Sequence, residues 1–178
     1  MASAFSHAIV AVSLGGAILP RYSVASVWLL GITCSVVPDL DVIGFWQGIP
    51  YEHLLGHRGL THSLAFAATL SGAVVTIAFR DARWRAMRSR LFLYLFLATA
   101  SHGFLDAFTY GGLGIAFFAP FDETRYLFPF RPIPAAALSI SGFFTHDGLR
   151  ILASEMIWIW IPALALGAIA CGIRRVQP

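Results

Sequence analysis

Lysine and asparagine are absent from the 178 residues, and all twelve basic side chains are arginine. Charge of either sign is scarce: 12% of residues are charged, where a soluble domain carries about a quarter. The only cysteines, Cys34 and Cys171, lie in apolar runs, which points away from a disulfide framework and from a Cys-type zinc site. A pI near 9.2 does not make the chain a nucleic-acid binder, because the net charge is only +3 and the arginines are scattered or juxtamembrane. What fills the space left by charge is apolar surface: 58% of residues are hydrophobic and the mean hydropathy is +0.75. A freely soluble enzyme and a disordered tail are poor readings of such a chain. It reads as a polytopic membrane protein, a single all-α transmembrane domain over residues 1–178 with almost no soluble part.

A bilayer core of roughly 30 Å needs about 20 apolar residues per helix. Five stretches come close, at residues 4–19, 22–37, 60–79, 91–110 and 151–173. The first lacks the basic start and the small-residue cleavage site of a signal peptide. Arginine placement then orients the bundle. Five arginines fall within the eleven residues 80–90, Arg21 lies between the first two stretches, and Arg174 and Arg175 follow the last. Alternating spans place these eight of the twelve arginines on one side, the cytoplasm. Arg58, Arg125, Arg131 and Arg150 fall on the other. The expected topology is N-terminus out and C-terminus in, with residues 38–59 and the long 111–150 segment outside.

Ionisable groups at mid-membrane cost roughly 2.5–3.5 kcal/mol each and so mark function. His7 lies in the first span, Asp39 and Asp41 follow Pro38 at the end of the second, His57 and His62 flank the start of the third, and His102 and Asp106 lie in the fourth. A rise of about 1.5 Å per residue puts all of them in the outer half of the membrane. His102 and Asp106, four residues apart, share one helix face and can grip one ion. Asp39 and Asp41 follow a proline that disfavours helix, so an extended chain would point both carboxylates the same way. His62 belongs to a helix start and His57 to the loop before it. Mixed imidazole and carboxylate donors suit Zn²⁺, Mn²⁺ or Fe²⁺ better than Ca²⁺ or Mg²⁺. One ion or two fit, and a paired site would suit phosphoester hydrolysis. Alternatives stay open residue by residue: His7 as a helix-packing histidine, Asp39 as a turn residue, His57 as a loop residue, and Glu155 as a group that favours its own helix N-terminus.

The segments Pro38-Asp39-Leu40-Asp41, His57-Arg58-Gly59-Leu60-Thr61-His62-Ser63 and Ser101-His102-Gly103-Phe104-Leu105-Asp106, with His7 upstream, resemble the motifs of the LexA-regulated, inner-membrane metal-dependent hydrolase family (YdjM-like). Phe118-Ala119-Pro120-Phe121 through Arg125 and Phe128-Pro129-Phe130 resemble its outer loop, so the likeness runs over residues 5–132. It implies a bacterial inner-membrane hydrolase whose His/Asp pattern is distantly similar to zinc-dependent phospholipase C. Carried over, Asp41, His62, His102 and Asp106 form the main ion site, and His7 with Asp106 contributes to a second. Those soluble enzymes add a His-x-x-x-Glu pair that this chain lacks, since His146 and Glu155 are nine apart.

The resulting expectation is metal-assisted hydrolysis of a phosphoester at the extracytoplasmic membrane face. Asp39 or His57 would serve as general base or hold a ligand imidazole in place, and Arg58 would pair with a phosphate oxygen. Residues 111–150 open on Gly111, Gly112 and Gly114 and carry Phe117, Phe118, Phe121, Phe128, Phe130, Phe143 and Phe144. Such a segment suits an interfacial cover over the site, with a lipid or lipid-linked substrate entering from the outer leaflet. Two other classes compete: a non-catalytic protein in which the ions are structural, and a transporter of a metal ion or proton. Oligomeric state is not legible.

Overall fold

A computed structural model describes residues 1–20, 23–135 and 145–176. Arg21, Phe143 and Phe144 lie outside the described residues, as does the side chain of Arg175. Helix α1 (Ala4–Ile18) starts at Ser3, whose hydroxyl accepts a hydrogen bond from Ser6 N. It stops where Leu19, ahead of Pro20, turns extended. The chain returns as α2 (Ala25–Val36), whose Trp28 ring lies against Gly15 near the end of α1.

After α2 the backbone tightens into a 3-10 turn (Val37–Val42) and then a single helical turn, α3 (Ile43–Trp46). This corrects the expectation of an extended Asp39-Leu40-Asp41. Pro38 occupies the start of the turn, where a helix has no use for its missing N–H, so the proline begins a tighter helix. A second 3-10 turn (Leu60–His62) leads to α4 (Leu64–Ala78), capped by Ser63 Oγ, which accepts from Phe66 N at 3.0 Å. A third (Ala82–Met87) precedes α5 (Arg88–Ala107). The last helical rod begins at His146, five residues ahead of the apolar stretch, because Thr145 Oγ1 accepts from Gly148 N at 3.2 Å. It runs as α6 (His146–Glu155), a π-helical turn (Met156–Trp160) and α7 (Ile161–Val176). His146 and Asp147 are exposed in its first turn, where Asp147 complements the helix dipole.

All five apolar stretches thus carry helices, and the molecule is mostly helical. The departure from all-α lies in the connection between α5 and α6. There β1 (Thr109–Tyr110) pairs in parallel with β2 (Ile133–Pro134), and Ile115 bridges Tyr126. Among the described residues, Ala25–Val42 and His146–Arg174 are long and apolar enough to cross a membrane, and Ala4–Ile18 and Leu64–Ala78 are shorter apolar helices.

Helix α1 packs against α2, α5 and α7, while α5 also contacts α2 and α4. One half of this bundle is an apolar core that includes Ala11, Leu19, Val27, Cys34, Tyr94 and Leu95. The other half, at the start of α1 and the ends of α2 and α5, is filled by buried His7, Asp41, His57, Arg58, His62, His102 and Asp106.

Candidate metal centre

Three local devices deliver the four donors. His102 and Asp106 project from one face of α5, with His102 Nε2 4.0 Å from Asp106 Oδ2. His62 comes from the 3-10 turn ahead of α4 and Asp39 from the turn after α2. Gly103 permits the meeting, because a Cβ there would come within 2.9 Å of the His62 carbonyl oxygen. One donor atom from each of Asp39, His62, His102 and Asp106 lies within 4.8 Å of the others.

The hydrogen bonds behind these donors decide which atoms face inward. His102 Nδ1 lies 2.7 Å from Ser35 O, a carbonyl that can only accept, so Nδ1 carries the proton and Nε2 presents its lone pair. His62 Nδ1 lies 3.1 Å from Thr61 Oγ1 and 3.2 Å from Asp41 Oδ2, which orients its Nε2 in the same way. Asp106 Oδ1 accepts from Ala2 N at 2.6 Å, leaving Oδ2 toward the centre. Such partners behind a ligand fix its tautomer and ring orientation.

The residues fit a divalent ion on three counts. His62 Nε2 and Asp106 Oδ2 are buried without a hydrogen-bond partner, although a buried polar atom normally has one. The distances among the four donors include 3.2 Å (His102 Nε2 to Asp39 Oδ1), 3.6 Å (His62 Nε2 to Asp106 Oδ2) and 3.8 Å (His62 Nε2 to Asp39 Oδ1). Four-coordinate ions with bonds of about 2.0–2.2 Å need ligand edges of about 3.4 Å. Finally, three carboxylates (Asp39, Asp41 and Asp106) are gathered away from water, and the Arg58 guanidinium stands within ion-pair distance of Asp106, with Nε 3.5 Å from Oδ2. A bound cation would help to balance the charge of the others.

The two aspartates of the Pro38-Asp39-Leu40-Asp41 motif do different work in the structure from that implied by the resemblance. Asp39 stands with His62, His102 and Asp106, where the resemblance implies Asp41. Residues two apart in a 3-10 turn lie about 240° apart around its axis, so the two carboxylates diverge. Asp41 turns to the loop: it accepts from His57 Nδ1 at 2.7 Å, Arg58 N at 3.0 Å and Thr61 Oγ1 at 2.7 Å. Asp41, His57 and His62 form a second group of donor atoms within 4.8 Å, sharing His62 with the first. His7 stacks on His102 with ring centroids 3.7 Å apart, and its Nε2 is 3.7 Å from Asp106 Oδ1. It is adjacent to the four-donor group rather than part of it.

Arg58 is the largest displacement from expectation. Its side chain is buried rather than extended toward a substrate. It donates from Nη1 to Gly111 O at 2.9 Å and from Nη2 to Thr109 Oγ1 at 3.1 Å, with Nε 3.5 Å from Asp106 Oδ2. Its backbone holds φ +64°, a region that costs a non-glycine residue about 1–2 kcal/mol. The bonds from its N–H to Asp41 and from Ala116 N to its carbonyl hold it there.

Beside the donors, Tyr51, His57, Arg58, Gly111, Gly112, Ala135 and Met1 line a cleft of about 200 Å³. Burial pushes the Tyr51 phenol above its usual pKa, so it stays neutral at physiological pH. Arg125 closes the rim, donating from Nη1 to His57 O at 3.0 Å and from Nη2 to Tyr51 O at 2.9 Å. Motif spacing did not flag Thr61, Ser35, Thr109 or Arg125 as contributors. Two of them offered a signal: Thr61, inside the His57–Ser63 motif, puts a hydroxyl between two histidines where it can bond a neighbouring carboxylate, and Arg125 closes a stretch that resembles the family's outer loop.

A bundle of apolar helices ending in a buried cluster of imidazoles and carboxylates defines the class: a helical protein with a candidate divalent-metal centre. The chain belongs to the YdjM inner membrane protein family, whose model matches residues 1–177. It is similar to inner membrane protein YbcI of Escherichia coli (strain K12), at 32% identity over 176 residues, which cover 98% of this chain and 100% of that protein. The apolar helices are accordingly those of an inner membrane protein. No solved structure matches the chain.

Proposed function

We propose that the protein is a metal-dependent hydrolase that cleaves a phosphoester of a lipid or lipid-linked substrate at the extracytoplasmic face of the membrane. The observation that carries this is the convergence of Asp39, His62, His102 and Asp106 beside a hydrogen-bonded His57–Asp41 pair in a cleft wall. The two imidazoles and two carboxylates would hold one Zn²⁺, with Mn²⁺ or Fe²⁺ as alternatives. With a fifth coordination position open to water or substrate, an ion there would supply Lewis-acid polarisation of a phosphoryl oxygen and acidification of water. The chain's own groups do the rest. Asp41 holds the His57 ring through Nδ1–H, so that Nε2 is the atom that takes the proton from the attacking water. Arg58 holds Asp106 in place, and the Arg125 guanidinium at the cleft rim offers a positive charge suited to an anionic ester. Exposed Phe118, Phe121 and Phe130 on the outer segment suit a membrane interface and a substrate that arrives from the lipid.

Five spans, with the N-terminus outside and the C-terminus inside, complete the proposal. It is supported by eight arginines in the segments assigned to the cytoplasm. Among the described residues, the apolar half of the bundle buries no Asp, Glu, His or Arg that would carry an ion onward, which disfavours transport. Burial of His62, His102 and Asp106 at 3% exposure or less favours one second reading, a structural ion without catalysis.

The test is to purify the protein in detergent, measure bound metal, and assay phosphodiester and phosphomonoester hydrolysis with wild type and Asp106→Ala. Stoichiometric zinc with turnover, both lost in the variant, is expected. Stoichiometric zinc without turnover of any lipid phosphoester selects the structural ion. Absence of any bound transition metal removes the centre.

A further inference from the structure

Glu155 is fully buried and lies outside the donor set. Its carboxylate accepts from Ser3 N at 2.6 Å, from Ser3 Oγ, and from Ser6 Oγ at 2.8 Å. Ser6 Oγ in turn accepts from Trp160 Nε1 at 2.7 Å. These bonds tie the last helical rod to the first turn of α1. Both ends of the tied segment reach the metal centre. The residue before Ser3 is Ala2, whose N–H donates to Asp106 Oδ1, and the residue after Ser6 is His7, stacked on His102.

The backbone is built for this tie. Residues five apart in an α-helix sit about 140° apart around its axis. Glu155 and Trp160 are five apart, yet both reach Ser6 Oγ. The π turn Met156–Trp160, closed by i→i+5 bonds, underwinds the rod and brings the two side chains toward one face. Removing that turn would rotate one of them away from α1.

We infer that Glu155 is a positioning residue for the metal centre: through Ser3 and Ser6 it sets the place of Ala2 N, and so which Asp106 oxygen faces the ion, and it sets the place of His7. The inference rests on the metal-centre reading above. A purely electrostatic role is the alternative, since a carboxylate at a helix N-terminus stabilises it through charge alone. The two roles respond oppositely to length and charge. Glu155→Gln keeps the reach and an accepting oxygen but loses the charge. Glu155→Asp keeps the charge but is one methylene too short to reach Ser3 and Ser6 together.

The experiment uses full-length protein in detergent, with circular dichroism confirming wild-type helix content. It measures zinc affinity and the visible absorption of the cobalt(II)-loaded protein. Glu155→Gln is expected to keep wild-type affinity and spectrum. Glu155→Asp is expected to bind zinc about tenfold more weakly, with an altered cobalt spectrum, in line with the loss of groups that orient a ligand. Wild-type binding and spectrum in Glu155→Asp would overturn the inference, as would a larger loss in Glu155→Gln than in Glu155→Asp. Should Glu155→Asp not fold, Ser6→Ala carries the test: it cuts the Trp160–Ser6–Glu155 link and is expected to weaken zinc binding, and wild-type affinity would overturn the inference. A wild-type protein that binds neither metal overturns the metal centre itself, an outcome separate from any difference among the variants.

Discussion

The two halves of the bundle use the same helices and opposite chemistry. Toward one end, α1, α2 and α5 meet through close steric fit. Tyr94 fills the space over Gly31, where an added Cβ would fall 1.9 Å from its hydroxyl oxygen. Toward the other end, the same helices meet through His7, Ser35 and His102, and their contacts are directional hydrogen bonds and charge pairs. The apolar half can be held by packing alone, as expected for helices in lipid. The polar half cannot: its buried carboxylates need partners, and the partners present leave atoms such as Asp106 Oδ2 unmatched. The difference teaches that one half holds the helices together by fit, while the other half gathers donor atoms that could hold a metal ion.

That division can be broken at specific residues. Replacing His57 by alanine is expected to lower phosphoester turnover by about 10²–10⁴-fold, the usual contribution of a general base, with zinc content retained. Loss of zinc along with turnover would place His57 among the ligands. Asp41→Asn comes next, with zinc affinity falling about 10–100-fold as the ring orientation of His62 loosens. Equilibrium dialysis against a zinc buffer reads this effect, and unchanged affinity would deny Asp41 that role. In the apolar half, Gly31→Ala is expected to destabilise the bundle by about 1–3 kcal/mol through overpacking against Tyr94. A thermal melt would show it, and zinc stoichiometry should stay the same; a fall in stoichiometry would mean that the halves are coupled. The smallest effect is expected from Thr61→Val, which removes one hydrogen bond to Asp41 worth about 0.5–1.5 kcal/mol and should weaken zinc binding only a few-fold.

Much of this was legible in the chain itself. The five apolar stretches carry helices, and the i, i+4 spacing of His102 and Asp106 required only that α5 be a helix. The assignment of His62 to a helix start and His57 to a loop also followed from local pattern, since Gly59 separates them. The division of labour between Asp39 and Asp41 was not legible. It depends on whether the chain after Pro38 is extended or wound, and the two options send a residue's neighbour-but-one to different faces. The burial of the Arg58 side chain was not legible either. Its guanidinium bonds Thr109 and Gly111, more than fifty positions away, and its left-handed backbone is held by Asp41 and Ala116.

The sequence by itself determined that this is an apolar helical membrane protein with its imidazoles and carboxylates gathered toward one end, because hydropathy, charge placement and helical period are local properties of the chain. Only the tertiary structure decided which donors face one another and which stand behind them. The same is true of the tie from Glu155 through Ser3 and Ser6 to α1. Orientation of a side chain depends on the partner its other atoms find, and those partners come from helices distant in sequence.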